Sequence, residues 1–587
     1  MIFILNMSSL SSAMAAKQVG ENNHFEYKWS VNGFDTLFSQ LYFQLVRTKD
    51  FSRIKNLEYN FNTLLTNAHG NIDNLLLLAK LTLHTRDCAG KGERDLFYMM
   101  LICWWKYDEK LAYYIFETAM LNENSKDPFG SWKDVKYLCL YIKVRLELKD
   151  NNNTFINWLV ELTNYHLKQD WDNYVTQSGK NISLLAKWIP REKSKKFAWL
   201  HNLLVKNMFN KYYETAKSSN RDGALKRADT KAKREYRLIC STLNKALDTT
   251  QIKQCNSKWR EIDPNKVTSI TFSKQKKALF NQKIVRGKIV ERTTNDDRIK
   301  CRDNFTEYIN KKKEKNETIK GKRCSIYDFV KDALKYGDME DKEAELLKET
   351  INSQWLNNSQ QNFTLNNMIP LIDTSGSMEC DSCQPLYNAI GLGIRISEKT
   401  SPAFRNRVLT FTSEPSWVTL DEEKTFCDKV NKVRKAPWGM TTNIYKAFNL
   451  ILRAIETSNL NHEQVENLTL VILSDMQINS AIDDGYSSTS LYENVKRLFH
   501  EKGLNITGKP FNPPNVLFWN LRSTCGFPTQ TTENNITMLS GFSPLLLNVL
   551  CEKGFDELKK VKPFDMLINL LETERYSVLN NFRNLLI

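Results

Sequence analysis

The stretch "LIDTSGSMEC" (371–380) places a carboxylate and two hydroxyl groups at a spacing that suits metal binding. An apolar run ends at Asp373, and Ser375 and Ser377 follow at steps of two residues, in a loop that Gly376 can bend tightly. These hard oxygen donors suit Mg²⁺ or Mn²⁺ better than zinc. A serine-rich turn that caps a helix is the alternative interpretation.

Two further segments could complete such a site. "VILSDMQIN" places Asp475 at the end of a predicted strand, and "WGMTTNIYKAF" places Thr441 and Thr442 in a loop that leads into a helix. In an open α/β sheet, ligands collect at the carboxyl ends of the strands. We therefore expect Asp373 and Asp475 to lie on the same edge of one sheet.

The C-terminal part of the chain has the pattern needed to build that sheet. Short apolar segments alternate with amphipathic ones, which predicts a doubly wound α/β domain with a mostly parallel sheet covered on both faces. The predicted strands are 367–373, 407–413, 468–474, 515–520 and 536–539, and the predicted helices lie near 385–399, 442–457 and 491–503.

The N-terminal part has helical periodicity instead. From Trp29 to about residue 250, apolar residues recur at three- and four-residue steps, which predicts an α-solenoid or an irregular helical bundle. The expected organisation is a flexible N-terminus at 1–28, a basic helical module at 29–356 with a basic insert at about 264–325, a linker at 357–366, and the α/β domain at 367–587.

Charge separates the two parts of the chain. The formal net charge is +16, yet residues 361–587 contain 22 basic and 24 acidic side chains. Residues 180–323 contain 38 basic against 15 acidic side chains, a net charge of +23. This asymmetry favours a polyanionic partner, most simply nucleic acid. Solvated helix faces are the alternative.

Two basic tracts contain the candidate RNA-binding residues. RNA recognition needs cations for phosphates and aromatic faces for unstacked bases, and Trp188 and Phe197 lie among the lysines of the first tract. The aromatic residues could instead belong to the core, with the charges merely solvated. The candidates are Lys187, Arg191, Lys193, Lys195, Lys196, Lys226, Arg227, Lys231, Lys233, Arg234 and Arg237.

Other features argue against an enzyme and against a membrane or secreted protein. No Ser-His-Asp, H-E-x-x-H or nucleophile-elbow pattern is present, and "AGKGERD" lacks the spacing of a phosphate-binding loop, so we predict a helix-to-helix turn with local ion pairs there. No segment approaches the roughly 18 apolar residues needed to span a bilayer. The twelve cysteines are scattered, which predicts a reduced, intracellular protein.

The metal-site residues resemble the metal-ion-dependent adhesion site of von Willebrand factor A domains, whose signature is D-x-S-x-S followed by a Thr and an Asp. The resemblance implies that Ser375 and Ser377 ligate Mg²⁺ directly and that Asp373 and Asp475 act through bound water. Thr442 best matches the threonine position, and Thr441 is also possible. A carboxylate from a protein partner would fill the open position, which is binding chemistry and not hydrolysis.

A basic helical module followed by such a domain resembles the TROVE architecture of the Ro ribonucleoproteins. The chain is more similar to an uncharacterised TROVE-like family of plants, fungi and giant DNA viruses. The resemblance implies a non-enzymatic RNA-binding protein of the cytoplasm, which for a viral protein means the host cytoplasm or the virion. A structural or protein-interaction factor without specific RNA binding is the alternative. The similar segments are "TRDCAGKGERDLFYM" (85–99), "FGSWKDV" (129–135), "AKWIPREKSKKF" (186–197), "YRLICSTLNKALDTTQIKQCNSKWREID" (236–263), "DTSGSM" (373–378), "WGMTTN" (438–443) and "LSDMQ" (473–477).

Overall fold

A computed structural model describes most of the chain, and it divides into two compact units. The sheet unit comprises Met1–Leu96, Thr268–Arg292 and Phe305–Ile587, and the helical unit comprises Phe97–Val267 and Thr293–Asn304. The described residues are 17–21, 25–30, 33–121, 128–149, 152–177, 181–219, 221–365, 367–411, 415–436, 444–477, 491–531, 535–548 and 562–585.

Helices make up most of the helical unit, and the prediction of a helical N-terminal part is confirmed. In chain order the described helices are α1 (Phe34–Gln44), α2 (Phe51–Asn67), α3 (Ile72–Arg86), α4 (Arg94–Tyr107), α5 (Glu109–Met120), α6 (Lys133–Arg145), α7 (Thr154–Val175), α8 (Leu185–Trp188), α9 (Ala198–Met208), α10 (Asn210–Lys217), α11 (Ala224–Ala246), α12 (Thr250–Cys255), α13 (Ser269–Leu279), α14 (Asp296–Glu314), α15 (Ile326–Tyr336), α16 (Lys342–Ser359), α17 (Cys380–Lys399), α18 (Phe426–Arg434), α19 (Ile444–Thr457), α20 (His462–Glu466), α21 (Leu491–Thr507) and α22 (Pro563–Leu571). Short 3-10 turns span Trp259–Glu261, Pro264–Lys266, Gly376–Glu379, Pro544–Asn548 and Glu574–Leu585.

The strands form one large sheet and two small hairpins among the described residues. The large sheet has the order β10-β9-β8-β5-β6-β7, and all neighbouring pairs are parallel except β6 with β7. The predicted mostly parallel sheet is therefore confirmed, although the antiparallel edge strand β7 was not predicted. The strands are β1 (Lys17–Val19), β2 (Phe25–Tyr27), β3 (Gln282–Val285), β4 (Lys288–Glu291), β5 (Met368–Asp373), β6 (Arg407–Phe411), β7 (Ser416–Thr419), β8 (Thr469–Ser474), β9 (Asn515–Asn520) and β10 (Ile536–Ser540).

Both faces of the large sheet are buried, which explains why its central strands are apolar throughout. Leu371 of β5 and Ile472 of β8 lie opposite each other and belong to one core cluster, to which α19 and α21 contribute. The next residue of β5, Ile372, faces the other way, towards Gly393 of α17. A Cβ at Gly393 would lie 2.5 Å from the Ile372 side chain, so α17 can approach the sheet closely only because this residue is glycine.

The start of α17 is irregular. Asp381, Ser382 and Cys383 adopt positive φ angles of 49°, 65° and 61°, a left-handed conformation that costs roughly 1–2 kcal/mol for each non-glycine residue. Helical geometry resumes afterwards, with Pro385 in the first turn, where a missing N–H is tolerated. The regular helix thus begins where the sequence predicted it, near residue 385.

The polar segment predicted as a linker at 357–366 is not a boundary between the two units. Asn358 and Asn362 are buried, and their side-chain oxygens accept hydrogen bonds of 3.2 and 2.7 Å from the guanidinium of Arg395. The same guanidinium lies 4.0 Å from the ring centroid of Trp355, and burial lowers the pKa of Arg395 to about 10. The segment is polar because it solvates a buried arginine, so its composition does not signal a solvent-exposed connection.

The N-terminus predicted to be loose at 1–28 contains ordered structure. Strands β1 and β2 pair in antiparallel fashion, and Tyr27 exchanges backbone hydrogen bonds of 2.9 and 3.0 Å with Phe527. The backbone N–H of Glu21 donates to the Gln477 side chain at 2.9 Å. These contacts join residues 17–21 and 25–27 to the rest of the sheet unit.

The "AGKGERD" turn joins distant parts of the sheet unit. Lys91 is buried, and its ammonium group donates to the carbonyl oxygens of Tyr42 and Ser540 at 2.8 and 3.2 Å. Asp87 pairs with Arg575, and Glu93 pairs with Arg47 at 2.8 Å. The expected local ion pairs are therefore long-range ones, and the lysine is unavailable to a phosphate.

The helical unit has its own core. Asn164 of α7 is buried and donates to the carbonyl of Leu204 in α9 at 2.9 Å. Its side-chain oxygen accepts from the Tyr236 hydroxyl of α11 at 3.2 Å. One amide thus fixes three helices against each other. No described helix of either unit is long and apolar enough to cross a membrane.

Candidate functional site

The two predicted carboxylates lie side by side at the carboxyl edge of the large sheet. Asp373 is the last residue of β5, and Asp475 directly follows the neighbouring parallel strand β8. Strand β6, which follows β5 in the sequence, lies on one side of β5, and the later strand β8 lies on the other side. The strand order therefore reverses its direction at β5. Crevices at such switch points are the usual ligand sites of doubly wound sheets.

The predicted hydroxyl groups of Ser375 and Ser377 lie at the same edge of the sheet, beside Asp373. The Ser375 N–H donates to Asp373 Oδ1 at 2.9 Å, and the hydroxyl oxygens of Ser375 and Ser377 are 3.1 Å apart. The Ser474 hydroxyl donates to Asp373 Oδ2 at 2.5 Å. We call Asp373, Ser375, Ser377, Ser474 and Asp475 the carboxylate rim. Thr441 and Thr442 lie outside the described residues.

The electrostatics of the rim favour a cation. Asp373 and Asp475 are both fully buried. Burial raises the pKa of Asp373 to about 7, and the charge of Asp475 acts in the same direction, against the smaller effect of hydrogen bonds from Ser474 and Ser375. Two buried carboxylates beside two close hydroxyl oxygens fit a hard divalent cation such as Mg²⁺ or Mn²⁺.

A positive side chain beside the rim was not predicted from the sequence. Arg522 Nε lies 2.8 Å from Asp475 Oδ2, and the same guanidinium contacts Glu21 at 2.6 Å. Arg53 contacts the other oxygen of Glu21 at 2.8 Å. The signal available in the sequence was the position of Arg522, two residues after the strand that neighbours β8.

Removing this arginine is expected to destabilise the protein, because Asp475 would remain buried without its ion pair. For Arg522→Met we expect a loss of about 3 kcal/mol in the free energy of unfolding in EDTA. The loss should be smaller in Mg²⁺, which would compensate the same charge. Chemical denaturation in EDTA and in Mg²⁺ measures the two losses. Arg53→Met, which removes a contact with Glu21 and leaves Asp475 paired, is the control, and an equal loss there would contradict this explanation.

The two basic tracts lie next to each other in the helical unit. Arg237 of α11 contacts Glu192 of the first tract at 3.3 Å, and Asn244 of α11 donates to the carbonyl of Ala186 at 2.9 Å. The two tracts, which are about 40 residues apart in the sequence, therefore form one region, which we call the basic surface.

Most of the candidate RNA-binding residues are on the solvent side of this surface. The buried residues Ala232, Tyr236 and Leu243 define the inner face of α11. Of the candidates, Lys233 pairs with Asp229 at 2.8 Å and Arg237 with Glu192, which reduces their availability to phosphates. Those with solvent-exposed side chains are Arg191, Lys193, Lys195, Lys196, Lys226, Arg227, Lys231, Arg234 and Arg237, whereas Lys187 and Lys233 are half-buried.

Comparisons with known proteins match long parts of the chain. A family model described as a domain of unknown function (DUF7788) matches residues 367–575, which include all six strands of the large sheet and the carboxylate rim. The uncharacterized protein L728 of Acanthamoeba polyphaga mimivirus is 29% identical over 455 residues, or 76% of this chain and 71% of that protein.

Among solved structures, the crystal structure of the Deinococcus radiodurans RO (RSR) protein aligns with 88% of this chain and 99% of its own chain. The sequence identity is 11% and the TM-score is 0.33, so the alignment does not establish a shared fold. Neither sequence match names an activity.

Proposed function

We propose that this protein is a non-enzymatic RNA-binding protein of the Ro/TROVE type. The basic surface of its helical unit holds RNA through phosphate contacts. The carboxylate rim binds Mg²⁺ and docks a carboxylate from a protein partner, in the manner of the metal-ion-dependent adhesion site of von Willebrand factor A domains.

The observation that carries the RNA proposal is the concentration of positive charge on one compact unit. The helical unit has 33 Lys and Arg against 22 Asp and Glu, a net charge of +11 out of +16 for the whole chain. Within it the two basic tracts meet, and most of their cations face solvent. Phosphate contacts by such cations supply most of the affinity for an RNA backbone.

The paired carboxylates support the metal part of the proposal. Ser375 and Ser377 would hold Mg²⁺ through their hydroxyls, with Asp373 and Asp475 completing the site and Thr442 as the further ligand that the resemblance suggests. Bound there, the ion would supply an electrophilic position for a partner's carboxylate. Asp475 is held by Arg522, and Asp373 by Ser474 and the Ser375 backbone, so the rim is positioned in advance.

Salt-titrated binding of the full-length protein tests the RNA proposal. We expect the affinity for a single-stranded RNA to fall steeply with salt, with a log–log slope near −0.7 for each phosphate contacted. RNA should also bind more tightly than heparin or duplex DNA at equal charge. The measurement is fluorescence anisotropy between roughly 50 and 300 mM KCl, the range over which contacts between cationic side chains and phosphates weaken.

The carboxylate rim alone favours a second candidate, a protein-interaction or structural virion factor. Such a protein would use Mg²⁺ to bind an acidic partner, and its basic surface would meet polyanions without selectivity. Equal affinity for heparin, DNA and RNA in the titration above would favour this candidate over the RNA-binding one.

A further inference from the structure

The positive charge of the sheet unit is concentrated in one short segment. The sheet unit has 50 Lys and Arg against 45 Asp and Glu, and its segment Thr268–Arg292 alone has 7 Lys and Arg against 1 Glu. The rest of the sheet unit has 43 basic against 44 acidic side chains, a net charge of −1. None of the candidate RNA-binding residues lies in this segment, so the proposed function does not account for its charge.

A tight hairpin carries most of these charges. Strands β3 and β4 pair in antiparallel fashion, and Arg286 and Gly287 between them have φ angles of 49° and 80°. Positive φ angles at both central residues are typical of a type I′ turn, whose twist matches that of the flanking strands. Arg286 therefore lies at the tip of the hairpin, where its side chain is exposed.

The inner face of the hairpin is attached to the sheet unit. In the cross-strand register, Ile284 lies opposite Ile289 and Gln282 lies opposite Glu291, and both Ile289 and Gln282 are buried. Gln282 Nε2 also donates to the carbonyl of Glu343 in α16 at 3.2 Å. These contacts fix the hairpin to the core of the unit by one face.

The outer face presents cations to solvent. Lys283 lies opposite Val290, Val285 lies opposite Lys288, and all four side chains are exposed. Val285 and Val290 have exposed fractions of 45% and 36%, so this face is open even at its apolar positions. Because side chains alternate along a strand, Arg292 belongs to the same face and is exposed as well. We call Lys283, Arg286, Lys288 and Arg292 the cationic ribbon.

The nearby carboxylates have partners outside the ribbon. Glu291 lies opposite Gln282, and its carboxylate accepts a hydrogen bond from Asn281 Nδ2 at 3.2 Å. Asp332 of α15 pairs with the buried Lys276 of α13. The exposed face of the hairpin is therefore a surface of positive charge.

Positive charge continues at the base of the hairpin. Burial lowers the pKa of Lys277, the charges of Lys335 and Arg292 lower it further, and Asp332 acts in the opposite direction. Lys335 of α15 is exposed. Cations from α13, α15 and the end of the hairpin are thus close enough to repel one another, and a polyanion bound there is attracted to all of them.

The composition of the hairpin indicates which polyanion fits it. It has no aromatic residue, so it lacks the stacking surface that single-strand binding proteins offer to unpaired bases. Its two exposed apolar side chains are valines, whereas membrane-surface segments use larger residues such as Trp, Phe and Leu. A base-paired RNA hides the faces of its bases and presents its phosphates on the outside. Exposed Lys and Arg side chains without aromatic neighbours suit that surface.

We propose that the cationic ribbon binds the phosphate backbone of a base-paired RNA segment. This inference rests on the proposed RNA-binding function and deepens it, because it adds a contact surface on the sheet unit and names duplex RNA as the ligand of that surface. The contacts are made to phosphates, so they position the RNA without reading its sequence.

The test compares duplex and single-stranded RNA on the full-length protein. The probes are a fluorescent RNA duplex of about 20 base pairs and a strand of about 20 uridines. For the triple variant Lys283→Glu, Arg286→Glu and Lys288→Glu, we expect the duplex affinity at about 0.1 M salt to fall at least about fivefold. The slope of its salt dependence should fall by roughly 2 to 3, since each lost phosphate contact removes about 0.9. The affinity for the uridine strand should change less than about twofold, because that strand depends on stacking as well.

A matched variant controls for net charge. Reversal of Lys424, Lys435 and Lys509, which are exposed lysines of the sheet unit outside the ribbon, changes the charge of the chain by the same amount. Long-range attraction alone would weaken duplex binding equally in the two triple variants. Contact at the ribbon weakens it only in the first.

The outcomes separate this inference from the proposed function. If the wild type binds the uridine strand but not the duplex, or if the two triple variants lose duplex affinity equally, the ribbon site is overturned and the RNA function stands. Equal loss of both RNAs in the ribbon variant overturns the site in the same way. If the wild type binds neither RNA, the ribbon site and the RNA function both fail. Displacement of the duplex by polyglutamate at equal charge would overturn the site in favour of an acidic protein partner.

Circular dichroism melting identifies a ribbon variant that does not fold. In that case crosslinking of the wild type to a duplex that contains 4-thiouridine decides the matter. Crosslinks to residues 283–292 support the site, and crosslinks confined to other parts of the chain overturn it.

Discussion

Asp373→Asn is expected to be more stable than the wild type in EDTA and less stable in Mg²⁺. Without a cation, Asp373 and Asp475 are both fully buried and the charge of Asp475 disfavours ionised Asp373, so the substitution removes one of two unfavourable charges. The Ser474 hydroxyl, which donates to Asp373, can rotate and accept from the new amide, so the hydrogen bond need not be lost.

In Mg²⁺ the wild type should be more stable than Asp373→Asn, because only the wild type retains both carboxylates to bind the ion. Binding at a concentration of about 100 times the Kd stabilises a protein by about 2.7 kcal/mol, which raises the Tm by several degrees. Thermal unfolding with EDTA and with Mg²⁺ measures the reversal. Asp381→Asn makes the same charge change at an exposed residue in the irregular start of α17 and should keep the wild-type response to Mg²⁺. An equal Mg²⁺ response in Asp373→Asn would refute the metal assignment.

The parts of this site that could be predicted are those that follow from local pattern. Asp373 and Asp475 each end an apolar strand, and parallel strands bring their carboxyl ends to one edge, so sequence alone places them together. The alternation of strands and helices also predicts most of the large sheet. Its edge strand β7, at 416–419, was missed because it is only four residues long and pairs antiparallel.

The parts that could not be predicted depend on contacts between distant residues. Arg522 meets Asp475 across 47 positions of the chain, and Glu21 joins Arg53 to Arg522, from which it is 501 positions away. No periodicity encodes such pairs. The polar segment that solvates Arg395 has the composition of a linker, because amide side chains occur both in exposed linkers and as hydrogen-bond partners of buried charges.

The basic surface could be predicted from the sequence only in part. Its charge could be read from composition, whereas the meeting of its two tracts could not. Lys136 in particular lies on α6, outside both tracts, and only the fold brings its ammonium group to 5.0 Å from the Trp188 ring centroid. Tertiary structure therefore adds partners to a region that the sequence already indicates.

Charge reversal at Lys193, Lys195 and Lys196 is expected to have the largest effect on RNA binding. All three side chains are exposed on the first tract. Glutamates there would repel the phosphates that the lysines contact. We expect the affinity for single-stranded RNA at 0.1 M salt to fall by at least about tenfold, and the steepness of the salt dependence to fall by roughly 2, since each lost phosphate contact removes about 0.7.

A matched variant separates this local effect from net charge. Lys424, Lys435 and Lys509 are exposed lysines of the sheet unit, and their reversal to glutamate changes the charge of the chain by the same amount. Long-range attraction alone would weaken both triple variants equally. Contact at the basic surface would weaken the first and spare the second, and only direct contact also reduces the salt slope. Anisotropy titrations at several salt concentrations distinguish these cases, and unchanged affinity in the first variant would remove RNA from this surface.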